Sequence, residues 1–272
     1  TNDKKRYMLS VSLSYDITDW LNISGRVRVD NSSTKYEQKL YASSNTTLTE
    51  GSAQGFYAIS KPDETQVYAD ALANINKRLG DYSIVVNIGA SIVDNKYDEL
   101  SYRGPIRANG IPNVFNVFDL DNTQKKARQD EWEEQTQSIF ASAEVGWKSM
   151  LYLTLTGRND WASQLANSSS TCFFYPSIGL SAVVSEMVKL PSFVDYLKVR
   201  SSFSSVGMPY PRNLTSPTFE YDETTQTWKP KTHYPIGDLK PERTDSWELG
   251  LDMRLFNDFN LSLSWYLAST FE

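Results

Sequence analysis

The sequence predicts an all-β fold, and within that class a segment of an antiparallel transmembrane β-barrel. Apolar and polar residues alternate along ten segments of nine or more residues, and successive side chains of a strand point to opposite faces. The connections alternate too, with mostly short turns inside each pair of segments and long polar stretches between pairs. Both features are typical of a membrane barrel that carries its long loops at one end.

The ten segments follow one another along the chain as five pairs. Four of the pairs turn within a few polar or glycine residues. The other pair is joined around Pro191, where "LPSFVDYL" (Leu190–Leu197) predicts a short helix with proline in its first turn. In chain order, the predicted strands are Tyr7–Tyr15, Trp20–Asp30, Gln66–Arg78, Tyr82–Val93, Gln135–Trp147, Met150–Asp160, Phe173–Glu186, Tyr196–Gly207, Thr244–Phe256 and Phe259–Ser269.

The length of these segments favours a membrane barrel over a soluble sandwich, whose strands also alternate. A tilted strand crosses a bilayer with about 9–11 residues, whereas strands of soluble proteins usually have about 5–6. Aromatic residues near the segment ends match the interfacial girdle of a barrel. They are Trp20, Tyr82, Trp147, Phe256 and Phe259 beside the short turns, and Trp161 and Tyr175 toward the long loops.

The two faces of each segment differ in charge. In "MLYLTLTGRND" (Met150–Asp160), leucines occupy one face, and Thr154, Thr156 and Arg158 occupy the other. Arg26 and Arg28 likewise fall opposite the apolar residues of their segment. The pattern predicts an apolar face toward outer-membrane lipid and a polar face toward a watery lumen.

Composition excludes several classes of function. The formal net charge of −6 argues against a nucleic-acid partner, which requires a basic face. A lone Cys172 excludes a disulfide framework, and a lone His233 argues against a multi-histidine zinc site or a Ser-His-Asp hydrolase. No run approaches the ~18 apolar residues of a transmembrane helix. The sequence predicts no enzyme and no cofactor.

Four stretches, in this order, carry a family resemblance: "LYLTLTGRNDW" (Leu151–Trp161), "FFYPSIGLSAVVSE" (Phe173–Glu186), "LKVRSSFSSVG" (Leu197–Gly207) and "LKPERTDSWELGLDMRLF" (Leu239–Phe256). They resemble the barrel of SusC/RagA-type TonB-linked outer-membrane proteins, and "KPERTDSWELG" is the most specific piece. The resemblance is strong over Gln135–Glu272. Over Thr1–Asp130 only the hairpin rhythm and the loop lengths agree.

The resemblance implies an active importer in the outer membrane of a Gram-negative bacterium. Such a transporter takes up oligosaccharides or oligopeptides together with a SusD-type surface lipoprotein and draws energy from TonB. Its barrel of about 22 strands is closed by an N-terminal plug. Residues 1–272 are therefore expected to form part of one barrel domain, with the plug and N-terminal regions outside this chain. The competing interpretation is a passive porin-like or adhesive barrel without energy coupling.

The long loops carry the candidate ligand-binding residues, because aromatic faces stack on sugars or peptide side chains. They are Tyr102, Phe115, Phe118, Tyr210, Tyr221 and Trp228. "DLDNTQKKARQD" (Asp119–Asp130) begins like a calcium loop with Asp119 and Asp121, but Gln124 stands where glycine is needed. The acidic run Asp130–Glu134 predicts a solvated rim.

Overall fold

A computed structural model describes residues 1–168, 171–208, 212–215, 218–222, 224–230 and 242–271. Its main element is one antiparallel sheet of ten strands, in which nearly every strand pairs with its neighbours in sequence. The predicted all-β barrel segment is thereby confirmed as a fold, with the barrel left open in this chain. β1 (Asn2–Thr18) and β12 (Phe259–Phe271) form the two edges of the sheet.

The remaining strands of the sheet lie between these edges. They are β2 (Leu21–Tyr41), β3 (Gly55–Leu79), β4 (Tyr82–Pro105), β5 (Lys126–Trp147), β6 (Leu151–Ala162), β7 (Cys172–Val183), β8 (Val194–Met208) and β11 (Glu242–Leu255). A separate two-stranded hairpin, β9 (Phe219–Asp222) with β10 (Thr227–Pro230), interrupts the connection from β8 to β11. Three short helical turns complete the described elements: Val117–Asp119, Ser163–Leu165 and α1 (Val184–Met187).

Tight turns close the hairpins at one end of the sheet. Lys148 and Ser149 between β5 and β6 both have positive φ, 53° and 59°, and so do Phe256 and Asn257 between β11 and β12, at 53° and 61°. Two successive left-handed residues match the right-handed twist of the flanking strands. The long connections leave the opposite end, so the predicted alternation of short and long connections is observed.

The register separates an apolar face from a polar one across the whole sheet. One row of paired residues is apolar in nine strands: Leu21, Ile75, Val86, Ala143, Leu155, Ile178, Phe203, Trp247 and Leu267. The adjacent row, which points the other way, is polar in eight: Asn22, Asn74, Asn87, Ser142, Thr156, Ser177, Ser204 and Ser246. We call the first face the outer face and the second the inner face.

The apolar rows of the outer face form a band across the sheet. This band ends sharply on the side of the long connections, which we call the upper side. Along β4, every second residue from Tyr82 to Ile92 is apolar, and the next three positions on the same face are Asp94, Lys96 and Asp98. The band is thus 11 residues tall in this strand, which agrees with the ~9–11 residues that a tilted strand needs to cross a bilayer. The rest of β4 stands above the band.

Two predicted excursions are therefore largely strand. Much of residues 31–65 and 94–134, expected to be polar loops, extends β2, β3, β4 and β5 to 21, 25, 24 and 22 residues. Above the band both faces of a strand meet water, so hydrophobic alternation no longer marks it. We call these extensions the tall wall: residues 31–41, 55–65, 94–105 and 126–134.

The helix predicted at Leu190–Leu197 is wrong. Residues from Val194 onward belong to β8, which pairs with β7 on one side and β11 on the other. Ladder bonds to two neighbours outweigh a weak local helix preference. The only helical turn in this described connection is α1, four residues long. Among the described residues, no helix is long and apolar enough to span a membrane.

Candidate functional site

Polar side chains on the inner face bond to one another from strand to strand. The Nδ2 of Asn74 donates to the Oδ1 of Asn87 at 2.6 Å, and the Nδ2 of Asn87 donates to the Oγ of Ser142 at 3.0 Å. The hydroxyls of Thr156 and Ser177 share a bond of 2.5 Å. Such a row is stable beside water and costly beside hydrocarbon, so the inner face is the wet face.

Charged residues of the inner face are paired within the wall. Arg26 forms an ion pair of 2.7 Å with Asp70 and lies over the Tyr68 ring at 5.2 Å. At the other side of the sheet, Arg200 lies 2.9 Å from Asp252 and crosses the face of Gly250. A side chain at Gly250 would meet the Arg200 guanidinium, so this glycine makes room for the ion pair.

On its inner face, the tall wall carries a cluster in which both Tyr97 and Arg212 stack on Trp132. Tyr97 and Trp132 are direct partners in the β4–β5 register, with ring centroids 5.3 Å apart and planes inclined by 12°. On the same Trp132 ring lies the guanidinium of Arg212, whose Cζ is 3.6 Å from the centroid. Arg212 also lies 3.2 Å from Glu134, measured from Nε to Oε1. A residue of the β8–β11 connection is thereby attached to the β5 wall.

Glu99 holds Tyr97, the residue of this stack that comes from β4. Its carboxylate accepts one bond from the Tyr97 hydroxyl at 2.6 Å and another from the Ser60 hydroxyl at 2.7 Å. These two donors lower the pKa of Glu99 below its usual value, the Tyr97 hydroxyl contributing most. Burial, together with the bond to Glu99, raises the pKa of Tyr97 to about 12. Tyr97 is therefore a neutral donor, and its ring position is set by the bond.

A groove of about 290 Å³ lies beside the stack, toward β1. Trp132 forms part of its lining together with charged and amide side chains, among them Lys4, Arg6, Asp30, Glu64, Gln66 and Asn95. Arg6 donates from Nε to Asp30 at 2.9 Å. Aromatic, cationic, anionic and amide groups thus meet on one inner surface above the apolar band, which suits a ligand with several polar groups.

The two long connections of the tall wall interlock into one rigid unit, which we call the crown (residues 42–54 and 106–125). The side chain of Asn113 accepts a bond from the backbone N–H of Ala42 at 2.7 Å. Its own backbone N–H donates to the carbonyl of Gln54 at 3.1 Å. Asn113 adopts a left-handed conformation with φ of 64°, which Asn tolerates better than most residues.

Several side chains of the crown are fully buried. Ile106 and Leu120, which form an isolated β-bridge, are each 1% exposed, and Thr49 is not exposed at all. Phe115 packs edge-on against Tyr41, with ring centroids 5.2 Å apart. Phe118, in contrast, is 92% exposed at the crown's 3-10 turn, which Asn116 caps by accepting from the backbone N–H groups of Phe118 and Asp119.

The candidate calcium residues have protein partners of their own. The Asp119 carboxylate accepts from Arg107 at 2.8 Å and from the Asn116 amide at 2.6 Å. Asp121 accepts from the backbone N–H and the hydroxyl of Thr123. Among the described residues, no three His, Cys, Asp or Glu side chains come together as a metal site would require. The sequence predicts no metal here, because Gln124 stands where a calcium loop needs glycine, and this stays a prediction.

The candidate ligand-binding residues lie in separate parts of the structure. Tyr221 and Trp228 are partners in the β9–β10 hairpin, with rings 5.3 Å apart and both exposed. By strand alternation Tyr102 lies on the outer face, near the crown that holds Phe115. Tyr210 lies outside the described residues. Ligand contact by these aromatics stays a prediction.

Sequence reasoning missed the stack of Tyr97, Trp132 and Arg212. The signal was present in "QDEWEEQ", where alternation puts Asp130, Trp132 and Glu134 on one face. The acidic run hid that signal, because it suggested a solvated rim. Nothing local pointed to Arg212, which is separated from Trp132 by the whole span of three strands.

Comparisons with known proteins agree with this fold. Residues 1–269 match a family model described as "TonB dependent receptor-like, beta-barrel". The solved structure of the RagAB peptide transporter superposes with a TM-score of 0.81 at 14% identity, over 99% of this chain and 30% of that chain. Among curated proteins, no match was found.

Siderophore receptors give a weaker likeness. PiuA from Acinetobacter baumannii superposes with a TM-score of 0.58 at 14% identity, over 97% of this chain and 40% of that chain. BauA, the ferric preacinetobactin receptor of the same organism, superposes with a TM-score of 0.58 at 16% identity, over 98% of this chain and 37% of that chain. The chain therefore spans less than half the length of these structures, and at such identities the likeness concerns the fold.

Proposed function

Because the chain belongs to the TonB dependent receptor-like β-barrel family, we propose that it forms part of an active importer. The family lies in the outer membrane of Gram-negative bacteria, and so does this chain. The family match confirms the resemblance found in the sequence. It is a family of receptors and transporters rather than of enzymes. The outer face therefore meets lipid and the inner face meets the lumen.

The proposed cargo is an oligosaccharide or an oligopeptide. One observation carries this proposal: above the apolar band, the inner face continues as a tall wall with an aromatic stack and a charged groove. A passive channel needs only the part of the wall that spans the membrane, whereas a wall that captures a large solute needs surface outside it. That RagAB is described as a peptide importer supports the peptide alternative.

The proposed partners are a SusD-type surface lipoprotein and TonB, the latter reached through segments outside this chain. The edges β1 and β12 expose unpaired backbone groups, which cannot remain unpaired in lipid. We therefore propose that residues 1–272 are one part of a single barrel domain, whose other strands pair with these edges.

Uptake by cells tests the proposal directly. The full protein, expressed in its outer membrane, should accumulate fluorescent oligopeptides or oligosaccharides, and this uptake should stop when TonB is deleted. The same cells lacking only the protein provide the control. Uptake that continues without TonB would favour the passive porin-like barrel, and surface binding without uptake would favour the adhesive one.

A further inference from the structure

The apolar band on the outer face is not smooth, because it contains a trough near its upper edge. We propose that this trough holds an acyl chain of a glycolipid, a membrane lipid with a sugar headgroup, which the barrel retains while the surrounding lipids exchange. The inference goes beyond import and does not depend on what the barrel transports. It requires only that the outer face meets lipid, as the outer wall of a membrane barrel does.

The trough exists because small and large side chains are segregated within two adjacent rows of the register. Its volume is about 750 Å³. The floor is formed by the smallest outer-face residues of β2, β3 and β4, namely Gly25, Ala69, Ala71 and Ala90. Larger side chains stand on both sides of this floor: Val11, Leu13 and Val27 toward β1, and Ile92, Ile139 and Trp161 toward β6. The result is an apolar channel with two side walls, open toward lipid.

Packing, rather than the hydrophobic effect, decides whether an acyl chain stays in the trough. The hydrocarbon around the barrel is as apolar as the trough lining, so entering the trough removes no apolar surface from water. An acyl chain on a flat wall contacts protein only beneath it, whereas a chain in the trough also contacts both side walls. Each atomic contact contributes little, but the sum along a chain is large. The trough should therefore retain an acyl chain longer than the flat parts of the band do.

A polar pocket of about 510 Å³ continues the trough on the side of β5 and β6. Trough and pocket share the side chains of Gln137, Ile139 and Trp161. The pocket adds polar side chains from Gln135, Ser163 and Thr171, and its described lining residues carry no charge. Proteins hold phosphate headgroups with Lys and Arg, whereas sugar hydroxyls need only neutral hydrogen-bonding partners. An apolar trough that opens into an uncharged polar pocket matches the two parts of a glycolipid.

Gln137 offers the headgroup a hydrogen-bond acceptor. Gln135 donates from Nε2 to the Asp94 carboxylate at 3.4 Å, and because an ionised carboxylate only accepts, this bond fixes the orientation of the Gln135 amide. The Gln135 carbonyl oxygen accepts from Nε2 of Gln137 at 2.9 Å. The carbonyl oxygen of Gln137 then has no donor among the described residues, although Gln137 lies in the register row of Ile92, at the top of the apolar band. Such an oxygen is costly beside hydrocarbon without a donor, which a sugar hydroxyl supplies and an ionised phosphate does not.

Lipid retention by the purified full protein tests the site. The protein is reconstituted in phosphatidylcholine vesicles that contain equal minor amounts of digalactosyl diacylglycerol and phosphatidylethanolamine, all with oleoyl chains. After extraction in mild detergent, native mass spectrometry counts and identifies the lipids that stay bound. The wild type should retain one digalactosyl diacylglycerol per chain, enriched about tenfold over its share in the vesicle.

Three substitutions separate the trough from the pocket. Ala71→Leu fills the floor and should reduce the retained lipid about tenfold. Gly25→Leu should do the same, since a Cβ at Gly25 would have only the Asp70 carbonyl oxygen within 4 Å, at 3.7 Å. Gln137→Leu removes the acceptor and should abolish the preference for the glycolipid while a lipid is still retained. Ala73→Leu, on the same strand and face but one row below the trough, is the matched control and should leave retention unchanged.

A retained glycolipid that Ala71→Leu or Gly25→Leu displaces and Ala73→Leu does not supports the proposal. Retention of no lipid, retention of phosphatidylethanolamine in preference to the glycolipid, or equal losses in Ala71→Leu and Ala73→Leu overturns it. A doubled protein mass that Ala71→Leu returns to that of the monomer would assign the trough to a second copy of the chain and overturns it as well. Heat-modifiable gel mobility confirms that each variant is folded.

Discussion

The two halves of the sheet build the space above the membrane in different ways. β2, β3, β4 and β5 have 21 to 25 residues each, whereas β6, β7, β8, β11 and β12 have 12 to 15. The tall half continues its ladder far beyond the apolar band and ends in the interlocked crown. The short half ends near the band and relies on connections such as the one that carries the β9–β10 hairpin.

This difference shows that bilayer thickness fixes the length of only that part of a strand which crosses the membrane. The apolar row from Leu21 to Leu267 runs through both halves, so both present the same band to lipid. Residues beyond the band are free of that constraint. Ladder bonds make the tall half a firm wall, whereas an isolated two-stranded hairpin is marginally stable in water. The stack of Arg212 on Trp132 joins the two kinds of structure.

The prediction with the largest expected effect concerns the point along β4 at which the apolar band ends. Ile88 and Leu100 lie on the outer face of β4, the first within the band and the second above it, between Lys61 and Gln129. Ile88→Arg should cost about 2–4 kcal/mol of folding free energy, because it places a charge near the middle of the membrane. Leu100→Arg should change stability by less than about 0.5 kcal/mol, as surface substitutions do.

Urea-dependent unfolding in lipid vesicles, followed by heat-modifiable gel mobility, measures both variants in the full protein. If Ile88→Arg and Leu100→Arg lost the same folding free energy, Leu100 would lie in the membrane like Ile88. The tall half would then not extend above the apolar band. An intact Ile88→Arg barrel would mean that the outer face does not meet lipid.

A smaller effect concerns the rigidity of the crown. Asn113→Ala loses the bond to Ala42 and puts a less tolerant residue at a φ of 64°, for a cost of about 2 kcal/mol. Proteolysis of residues 42–54 should then accelerate about 30-fold. Asn113→Gly keeps the backbone conformation and should lose only about 1 kcal/mol. If neither substitution changed the cleavage rate, the crown would be no firmer than the hairpin of the short half.

The smallest effect is a pH dependence within the tall wall. Because the pKa of Glu99 is lowered, its bonds stabilise the fold above its ordinary value of 4.5, and this contribution is lost as pH falls through the lowered value. The raised pKa of Tyr97 keeps its hydroxyl protonated until pH approaches about 12. The Trp132 environment should therefore change only at acid pH below 4.5.

Fluorine NMR of 5-fluorotryptophan-labelled protein observes this change, with the Trp132 signal assigned by its absence in Trp132→Phe. In Glu99→Gln the acid transition should disappear. A wild-type Trp132 signal that does not shift between neutral and acid pH would show that Glu99 does not control the stack.

The sequence predicted the band well and the tall wall poorly, for one physical reason. Where one face meets lipid, alternation is enforced, as in Leu151, Leu153 and Leu155, and the strand shows in the sequence. Where both faces meet water, as around Lys35 and Glu37, only backbone pairing marks the strand, and pairing is not visible in a single sequence. The helix predicted around Pro191 is absent for a similar reason. The conformation of this segment is decided by its pairing with β7 and β11, which lie outside it.

The aromatic residues that the sequence predicts as ligand contacts are not the residues of the stack found in the structure. Aromatic and polar loop residues were expected to bind ligand, and the structure does bring Tyr221 to Trp228. The stack, however, depends on Arg212 approaching Trp132 across the sheet, which no local pattern encodes. Trp132 itself was recognisable from its position between Asp130 and Glu134 on one face of a strand.

The order of the strands has a consequence for how the protein assembles. Nearly every strand pairs with the strand before it in the chain, so most of the sheet grows by adding local hairpins. Closing a loop costs entropy that rises only slowly with its length, by about 0.6 kcal/mol for each doubling. The pairing of β8 with β11 must close the longest connection, residues 209–241, and is therefore the latest local step we expect. The same slow rise means that surface loops can lengthen or change with little penalty to the wall that holds them.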